Sequence, residues 1–135
     1  MITAVDTSVL LDVFGADATF GGRSRAAVRS ALLEGGLVAC DVVWAEAAAA
    51  FPSADEIIGA MDRLGVRFAP LDAEVCVQAG GAWRSYRRAG GSRARILADF
   101  LIGAHAAARA DRLLTRDRGF YRKHFDRLVV VDPSS

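Results

Sequence analysis

The chain has 135 residues, of which 53% are hydrophobic and 24% charged, and its formal net charge is +1. This length suits one compact domain, taken as residues 1–135, that buries roughly two-thirds of its unfolded surface. The high apolar fraction and low net charge exclude a disordered chain. No apolar run reaches the ~18 residues of a membrane helix, and the first residues do not have the pattern of a signal peptide.

Cysteine and arginine usage bear on the compartment and the partners. Cys40 and Cys76 lie far apart, which favours reduced, buried thiols in the cytoplasm over a disulfide scaffold. Lys123 is the single lysine among 17 basic residues, and the rest are arginines. Arginine binds phosphate bidentately, so nucleic acid is a permitted partner, although codon bias is the simpler explanation of this composition. With so small a net charge, any basic surface must be local.

The first half of the chain alternates short apolar runs with helical patterns. The sequence predicts a strand over 2–5, a helix over 7–14, a helix over 23–33 after a break at Gly21 and Gly22, and a strand over 37–40. A helix capped by Asp41 follows. A capping box formed by Ser53 and Glu56 begins the next helix, which Gly65 ends.

The second half repeats the alternation. The sequence predicts a strand over 66–71, a long helix capped by Asp72, a turn over 90–92 and a helix over 97–110. A strand over 112–115, a short helix or turn over 119–125 and a strand over 128–131 complete the chain. Short buried strands separated by helices predict an α/β fold with a parallel sheet covered on both faces.

Four carboxylates follow or flank the predicted strands. Asp6 ends the first strand, Glu46 lies in the helix after the second, Asp99 begins the helix over 97–110, and Asp117 follows the fourth strand. Ligands of open parallel sheets bind beyond the carboxyl ends of the strands. Acids that converge there repel one another unless they hold a hard divalent cation, and Mg²⁺ or Mn²⁺ suits ligands that are all oxygen.

Each acid also has a structural explanation. Asp6 can cap the following helix, Asp99 can be a first-turn acid favoured by the helix dipole, and Asp117 can form a turn. Glu46 is the hardest to explain in this way, because it interrupts the apolar stretch W-A-E-A-A-A-A-F. Taken together, the four placements favour a metal site.

Four motifs in succession carry a family resemblance. The segments D-T-S-V-L-L-D, W-A-E, R-I-L-A-D-F-L-I-G-A-H-A and L-L-T-R-D-R-G-F-Y resemble the successive motifs of PIN domains, and most of all those of VapC-like toxins of bacterial toxin–antitoxin pairs. The resemblance extends from residue 2 to about residue 131. No single motif is specific, but their order and spacing are.

The resemblance implies a PIN-like three-layer α/β/α sandwich around a five-stranded parallel sheet in the order 3-2-1-4-5. It also implies a Mg²⁺- or Mn²⁺-dependent endoribonuclease. By position, the metal-binding and catalytic acids would be Asp6, Glu46, Asp99 and Asp117. Ser8 would orient Asp6 or a metal-bound water, and Thr115 would act in the same way near Asp117.

The remaining polar residues divide into supporting and structural candidates. The candidates for contact with RNA phosphates are Arg93, Arg95, Arg116 and Arg118, although these arginines could equally neutralise the nearby acids. Asp12 is interpreted as solvated or structural, His105 as a packed imidazole, and His124 as a surface residue. Scattered cysteines and histidines argue against a structural zinc site.

The leading hypothesis is a cytoplasmic ribonuclease toxin that cleaves RNA phosphodiester bonds. A cognate small antitoxin would cover its cleft, and the chain would form a homodimer and not associate with membranes. The alternative is a non-cleaving RNA- or partner-binding module on the same fold, against which the presence of all four acids counts. A flap-type DNA nuclease is a third hypothesis, but the chain lacks long insertions that could thread DNA.

Overall fold

The computed structural model of the chain describes residues 1–92 and 95–134. In these ranges five strands alternate with seven helices: β1 Ile2–Val5, α1 Thr7–Phe14, α2 Gly21–Glu34, β2 Gly36–Ala39, α3 Asp41–Ala48, α4 Ala54–Leu64, β3 Val66–Phe68, α5 Ala73–Arg88, α6 Leu97–Arg109, β4 Arg112–Leu114, α7 Arg118–His124 and β5 Val130–Val131.

The five strands form one parallel sheet in the order β3-β2-β1-β4-β5, which confirms the predicted fold class and strand order. Ala4 of the central strand β1 is paired with Val38 on one side and Leu113 on the other. The consecutive residues Thr3, Ala4 and Val5 are all buried. Because successive side chains of a strand point to opposite faces, helices must cover both faces of the sheet at β1.

Local sequence signals set several helix ends as predicted. Ser53 Oγ accepts a hydrogen bond from the Glu56 N–H at 3.2 Å and begins α4. Gly65 ends α4 with φ = 87°, a left-handed conformation that suits glycine. Asp72 begins α5 by accepting a hydrogen bond from the Val75 N–H at 2.9 Å. These are short-range interactions, which is why the sequence reveals them.

Other expectations were wrong in detail. Gly21 and Gly22 do not break a helix, because they form the first turn of α2. Asp41 is the first residue of α3 and not its cap, since its carboxylate accepts a hydrogen bond from the Leu71 N–H at 2.7 Å. The strands over 66–71 and 128–131 are shorter than predicted, because β3 pairs only with β2 and β5 only with β4.

The cysteines and one histidine also differ in part from expectation. Both cysteines are free thiols, but Cys76 is exposed and only Cys40 is buried. His124, expected at the surface, is partly exposed. Its half-buried imidazole packs against aromatic rings, with centroid distances of 5.0 Å to Phe120 and 5.8 Å to Phe100. In residues 1–92 and 95–134 no helix is long and apolar enough to cross a membrane.

Two helical glycines provide a test of the packing. A Cβ atom at Gly103 of α6 would lie 2.3 Å from the Phe125 ring, whereas nothing lies within 4 Å of a Cβ at Gly81 of α5. We expect Gly103→Ala to lower the free energy of unfolding by about 1–2 kcal/mol through overpacking. Gly81→Ala should raise it by about 0.5–1 kcal/mol through helix propensity. Urea titration of both variants beside the wild type checks this. Equal changes in the free energy of unfolding would contradict the close contact between Gly103 and Phe125.

Candidate active site

The site is centred on Asp6, which directly follows the central strand β1. Its carboxylate caps α1 by accepting a hydrogen bond from the Thr7 N–H at 2.7 Å. The residue is only 8% exposed. In the described ranges no lysine or arginine forms an ion pair with this carboxylate, so neutral hydrogen-bond donors alone stabilise it.

Thr115 connects Asp6 to the fourth acid. The parallel pairing of β1 with β4 aligns Val5 with Leu114, so Thr115 lies beside Asp6 just beyond both strands. Its hydroxyl donates a hydrogen bond to Asp6 Oδ2 at 2.7 Å and accepts one from the Asp117 N–H at 3.0 Å. Thr115 therefore orients the Asp6 carboxylate and holds the backbone at Asp117.

Thr7 connects Asp6 to Glu46. The Thr7 hydroxyl donates a hydrogen bond to Glu46 Oε1 at 2.7 Å, while its backbone N–H binds Asp6. Glu46 projects from α3 and is exposed. Thr7 was not among the site residues predicted from the sequence. The signal available was its position after a strand-terminal acid, where its N–H and its hydroxyl are both free to bind acceptors.

Asp99 and Asp117 form the opposite side of the site. Asp99 lies half-buried in the first turn of α6 and accepts a long hydrogen bond of 3.4 Å from the Ile96 N–H. This contact corresponds to the capping role that was one explanation of Asp99. Asp117 precedes α7 and forms an ion pair with Arg95, whose positive charge also acts on Asp99.

The four acids influence one another electrostatically. Burial is the main cause that raises the pKa of Asp6 to about 6, and negative charge on Asp99 and Glu46 adds to it, against the hydrogen bonds from Thr115 and Thr7. Burial likewise raises the pKa of Asp99, with smaller contributions from Glu46 and Asp117. The four predicted carboxylates thus occupy one region.

A neutral aromatic side chain, that of Tyr121, also lies near the acids. Tyr121 is buried, and burial raises the pKa of its phenol, with further contributions from Asp6, Asp99 and Asp117. Tyr121 was not among the site residues predicted from the sequence. Its phenol stays protonated at neutral pH, and it therefore adds no further negative charge to the site.

The donor chemistry of the site can be compared with that of a metal centre. Within the described ranges no three Asp, Glu, His or Cys side chains are arranged so as to hold a metal ion. Two carboxylates are directed elsewhere, since Thr7 holds Glu46 and Arg95 holds Asp117. The oxygen donors and the buried, unpaired charge of Asp6 nevertheless fit a hard divalent cation, because such a charge is costly without a counter-ion.

The predicted arginines have different surroundings. Arg116 forms hydrogen bonds of 2.7 and 3.1 Å with the buried carboxylate of Asp12, and its guanidinium stacks on the Phe20 ring at 4.1 Å. Arg118 lies 3.7 Å from Asp132. Arg95 is paired with Asp117, and Arg93 lies outside the described residues. The three described arginines thus all contact acids, and contact with RNA stays a prediction.

The remaining expectations concern three polar side chains. Asp12 is structural and not solvated, because it is buried and binds Ser24 as well as Arg116. His105 is packed in the interior, where burial lowers the pKa of its imidazole. The buried Ser8 hydroxyl has no hydrogen-bond partner in residues 1–92 and 95–134, so its predicted role in orienting Asp6 or water stays a prediction.

The structure also has a cavity that lies away from these carboxylates. It has a volume of about 440 Å³ and lies between α2 and the strands β1, β4 and β5, with Arg23 and Arg112 in its lining. None of the four predicted carboxylates borders it. Because the carboxylates lie together at the ends of β1 and β4, we place the candidate active site there and not in this cavity.

Comparison with known proteins points to one family. The family model for the PIN domain matches residues 3–126. No curated protein sequence matches the chain.

Solved structures share the fold. VapBC2 from Rickettsia felis, bound to a promoter DNA fragment, superposes with a TM-score of 0.75 at 14% identity, covering 98% of each chain. VapBC-1 from nontypeable Haemophilus influenzae gives 0.73 at 20% identity over 100% of each chain. FitAcB from Neisseria gonorrhoeae gives 0.70 at 22% identity over 98% of each chain.

The raised pKa of Asp6 predicts a pH-dependent stability. A carboxyl that is harder to ionise in the folded state stabilises the fold below its unfolded pKa of 3.8, and that contribution is lost as pH rises through about 6. Asp6→Asn removes the ionisation. In EDTA, its free energy of unfolding relative to wild type should therefore rise by about 2 kcal/mol between pH 4 and pH 7.5.

Urea titrations of both proteins at the two pH values measure this difference. Comparing the variants at each pH cancels the titration of all other groups. A difference that does not change with pH would show that burial does not destabilise ionised Asp6.

Proposed function

The chain belongs to the PIN domain family, and from that premise we propose that it is a metal-dependent endoribonuclease acting as the toxin of a toxin–antitoxin pair. One observation carries the proposal: four carboxylates from separate elements surround the ends of β1 and β4. Helix capping accounts for Asp6 itself, but it does not explain why three further acids lie around this buried carboxylate, which has no cationic partner in the described ranges. A cation and a phosphodiester would account for it.

The proposed metal ligands are Asp6, Glu46, Asp99 and Asp117. A bound Mg²⁺ or Mn²⁺ would supply an activated water and neutralise charge on the scissile phosphate. Asp6 is the fixed member of the set, because Thr7 and Thr115 hold both of its oxygens. The exposed Glu46 is the carboxylate most accessible to substrate and is suited to accept a proton from water.

Arg95 is the residue most directly placed to bind substrate beside the acids. It is paired with Asp117 and only partly exposed. A phosphate group, with its two non-bridging oxygens, offers acceptors much as a carboxylate does. We propose that substrate phosphate replaces Asp117 as the partner of Arg95, which would free Asp117 to turn toward the metal.

The proposed partners follow from the charge of the site and from the relatives. A solved structure from Klebsiella pneumoniae with the same fold is a toxin–antitoxin complex. The acidic cleft would be complementary to an arginine or lysine of a small antitoxin that covers it in the cytoplasm. We also propose a homodimer, because small α/β domains with apolar helix faces often pair.

A second function has one observation in its favour. The Arg95–Asp117 ion pair neutralises an acid that a nuclease would need, and no metal-binding arrangement is present in the described ranges. A non-cleaving RNA- or partner-binding module would leave this pair intact. The two functions differ in whether RNA is cut when a divalent cation is added.

The nuclease proposal predicts metal-dependent cleavage. The purified chain, freed of any inhibitor, should cut RNA with Mg²⁺ or Mn²⁺ and stop cutting in EDTA. Asp6→Asn or Asp99→Asn should slow cleavage at least ~100-fold, because each removes a charge that fixes the metal. Sequencing of new RNA 5′ ends provides the measurement.

The matched control for this experiment is Asp62→Asn on the surface of α4, which should leave the rate unchanged. Undiminished cutting in EDTA would exclude the metal mechanism. Intact RNA under all conditions would favour the binding module.

The partner proposals predict a defined assembly. The isolated chain should have the mass of a dimer by light scattering at tens of micromolar, and its expression without an antitoxin should arrest growth. Asp6→Asn should abolish the arrest and leave the dimer intact, because Asp6 is buried in the cleft and not on an outer helix face. A monomeric mass would contradict the dimer, and harmless expression of the wild type would contradict the toxin.

A further inference from the structure

A second pocket lies against the side of the candidate active site. It has a volume of about 220 Å³ and lies between the last turns of α5 and the residues that lead into α6. Arg95 lines this pocket and also pairs with Asp117. Leu97, another lining residue, lies two positions before Asp99 on the first turn of α6. The pocket and the acidic site therefore share a wall.

The pocket presents flat and apolar surfaces beside positive charge. The half-buried indole of Trp83 lies on one side, and the Arg87 guanidinium is 4.9 Å from its ring centroid. Ile96 and Leu97 are 57% and 37% exposed, which is high for large aliphatic residues. Tyr86 forms a fixed floor, since its hydroxyl donates a hydrogen bond to the Ser92 carbonyl oxygen and its ring packs on Phe100.

On its α5 side the pocket is flanked by charge of one sign. After Glu74, helix α5 carries no acidic residue, and it ends with Arg84, Arg87 and Arg88, all exposed. None of these three arginines forms an ion pair within residues 1–92 and 95–134, unlike Arg95 and Arg116. This flank is the local basic surface that the small net charge of the chain leaves room for.

We propose that this Trp83 pocket is a subsite for one unstacked base of single-stranded RNA. The base stacks on the Trp83 indole in place of the Arg87 guanidinium, which moves to cover the base or to bind the adjoining phosphate. An aromatic platform beside arginines is the usual surface for single-stranded nucleic acid, because every base has a face that can stack. The volume is below the ~300–1,000 Å³ of common ligand pockets, which suits one ring system.

The proposal rests on the proposed function and deepens it by naming the residues that bind one base of the substrate. A base in the pocket belongs to the same short stretch of strand as a phosphate at Arg95 and the acids. In a duplex both faces of every base are already stacked on neighbours, so a paired base cannot enter. The protein should therefore act on loops and single strands and not on helical RNA.

Fluorescence of Trp83 tests the proposal without any cleavage. Trp44→Phe leaves Trp83 as the single indole, and it removes a buried Nε1–H that has no partner in the described ranges. In EDTA, a single-stranded RNA octamer of mixed sequence should quench the emission of Trp83 saturably. The same octamer in a duplex, and an abasic ribose-phosphate octamer, should not. Equal quenching by all three would overturn the proposal, because phosphate contacts alone would then explain it.

Affinity measurements on variants test the same pocket independently of the Trp44 substitution. By anisotropy of labelled octamer in EDTA, Trp83→Ala should weaken binding about 5- to 100-fold, and Trp83→Phe should retain most of the affinity. Arg87→Ala should weaken binding more than the matched Arg88→Ala, since both remove one charge but only Arg87 lies over the indole. Unchanged affinity in Trp83→Ala, or equal losses in the two arginine variants, would overturn the proposal.

The two proposals fail separately. If single strands alone quench the emission of Trp83 but the protein never cuts RNA, the subsite is supported and the nuclease proposal is contradicted. Metal-dependent cutting without quenching keeps the nuclease and overturns the subsite. Quenching by an acidic aromatic peptide and not by RNA would also overturn it, because the pocket would then bind a partner protein.

Discussion

The hydrogen bonds to the Asp6 carboxylate are the constraint on which the rest of the site depends. One oxygen accepts a hydrogen bond from the Thr7 N–H at the start of α1, and the other accepts one from the Thr115 hydroxyl. The second contact exists only because β1 and β4 are adjacent and in register. The strand order thus sets the position of the acid, and burial between the strands raises its pKa. A sheet with another order would leave Asp6 a simple helix cap.

Helix ends make the accumulation of negative charge tolerable. Asp6 precedes α1, Asp99 lies in the first turn of α6, and Asp117 precedes α7. Each carboxylate is therefore close to the positive end of a helix dipole, which stabilises an anion by up to about 1 kcal/mol. The structural explanation of these acids and the functional one are then not alternatives. Capping hydrogen bonds hold the carboxylates of Asp6 and Asp99 at these positions, whereas the carboxylate of Asp117 is held by Arg95.

The interactions that the sequence revealed are short-range, whereas those that it did not reveal join residues far apart in the chain. Ser53, Gly65 and Asp72 each act on the adjacent helix turn, so the local sequence pattern was enough to predict them. The bond from Thr7 to Glu46 spans 39 positions and the bonds from Arg116 to Asp12 span 104, and no local pattern encodes them. The four acids were predicted from their positions after or beside the strands. The strand order came from the family resemblance, since spacing along the chain does not determine which strands are neighbours.

The arginines show how tertiary contacts sort residues that look alike in sequence. Arg95, Arg116 and Arg118 were predicted because they lie near Asp99 and Asp117 in sequence, but only Arg95 pairs with one of these two acids. Arg116 instead contacts Asp12, and Arg118 lies near Asp132. Arg84, Arg87 and Arg88 have no acid within reach on α5, so their charge remains available to a polyanion. An acidic centre repels RNA, and a basic flank beside it offsets that repulsion through counterion release. Charge segregation over neighbouring surfaces, and not the net charge of +1, therefore decides what this protein attracts.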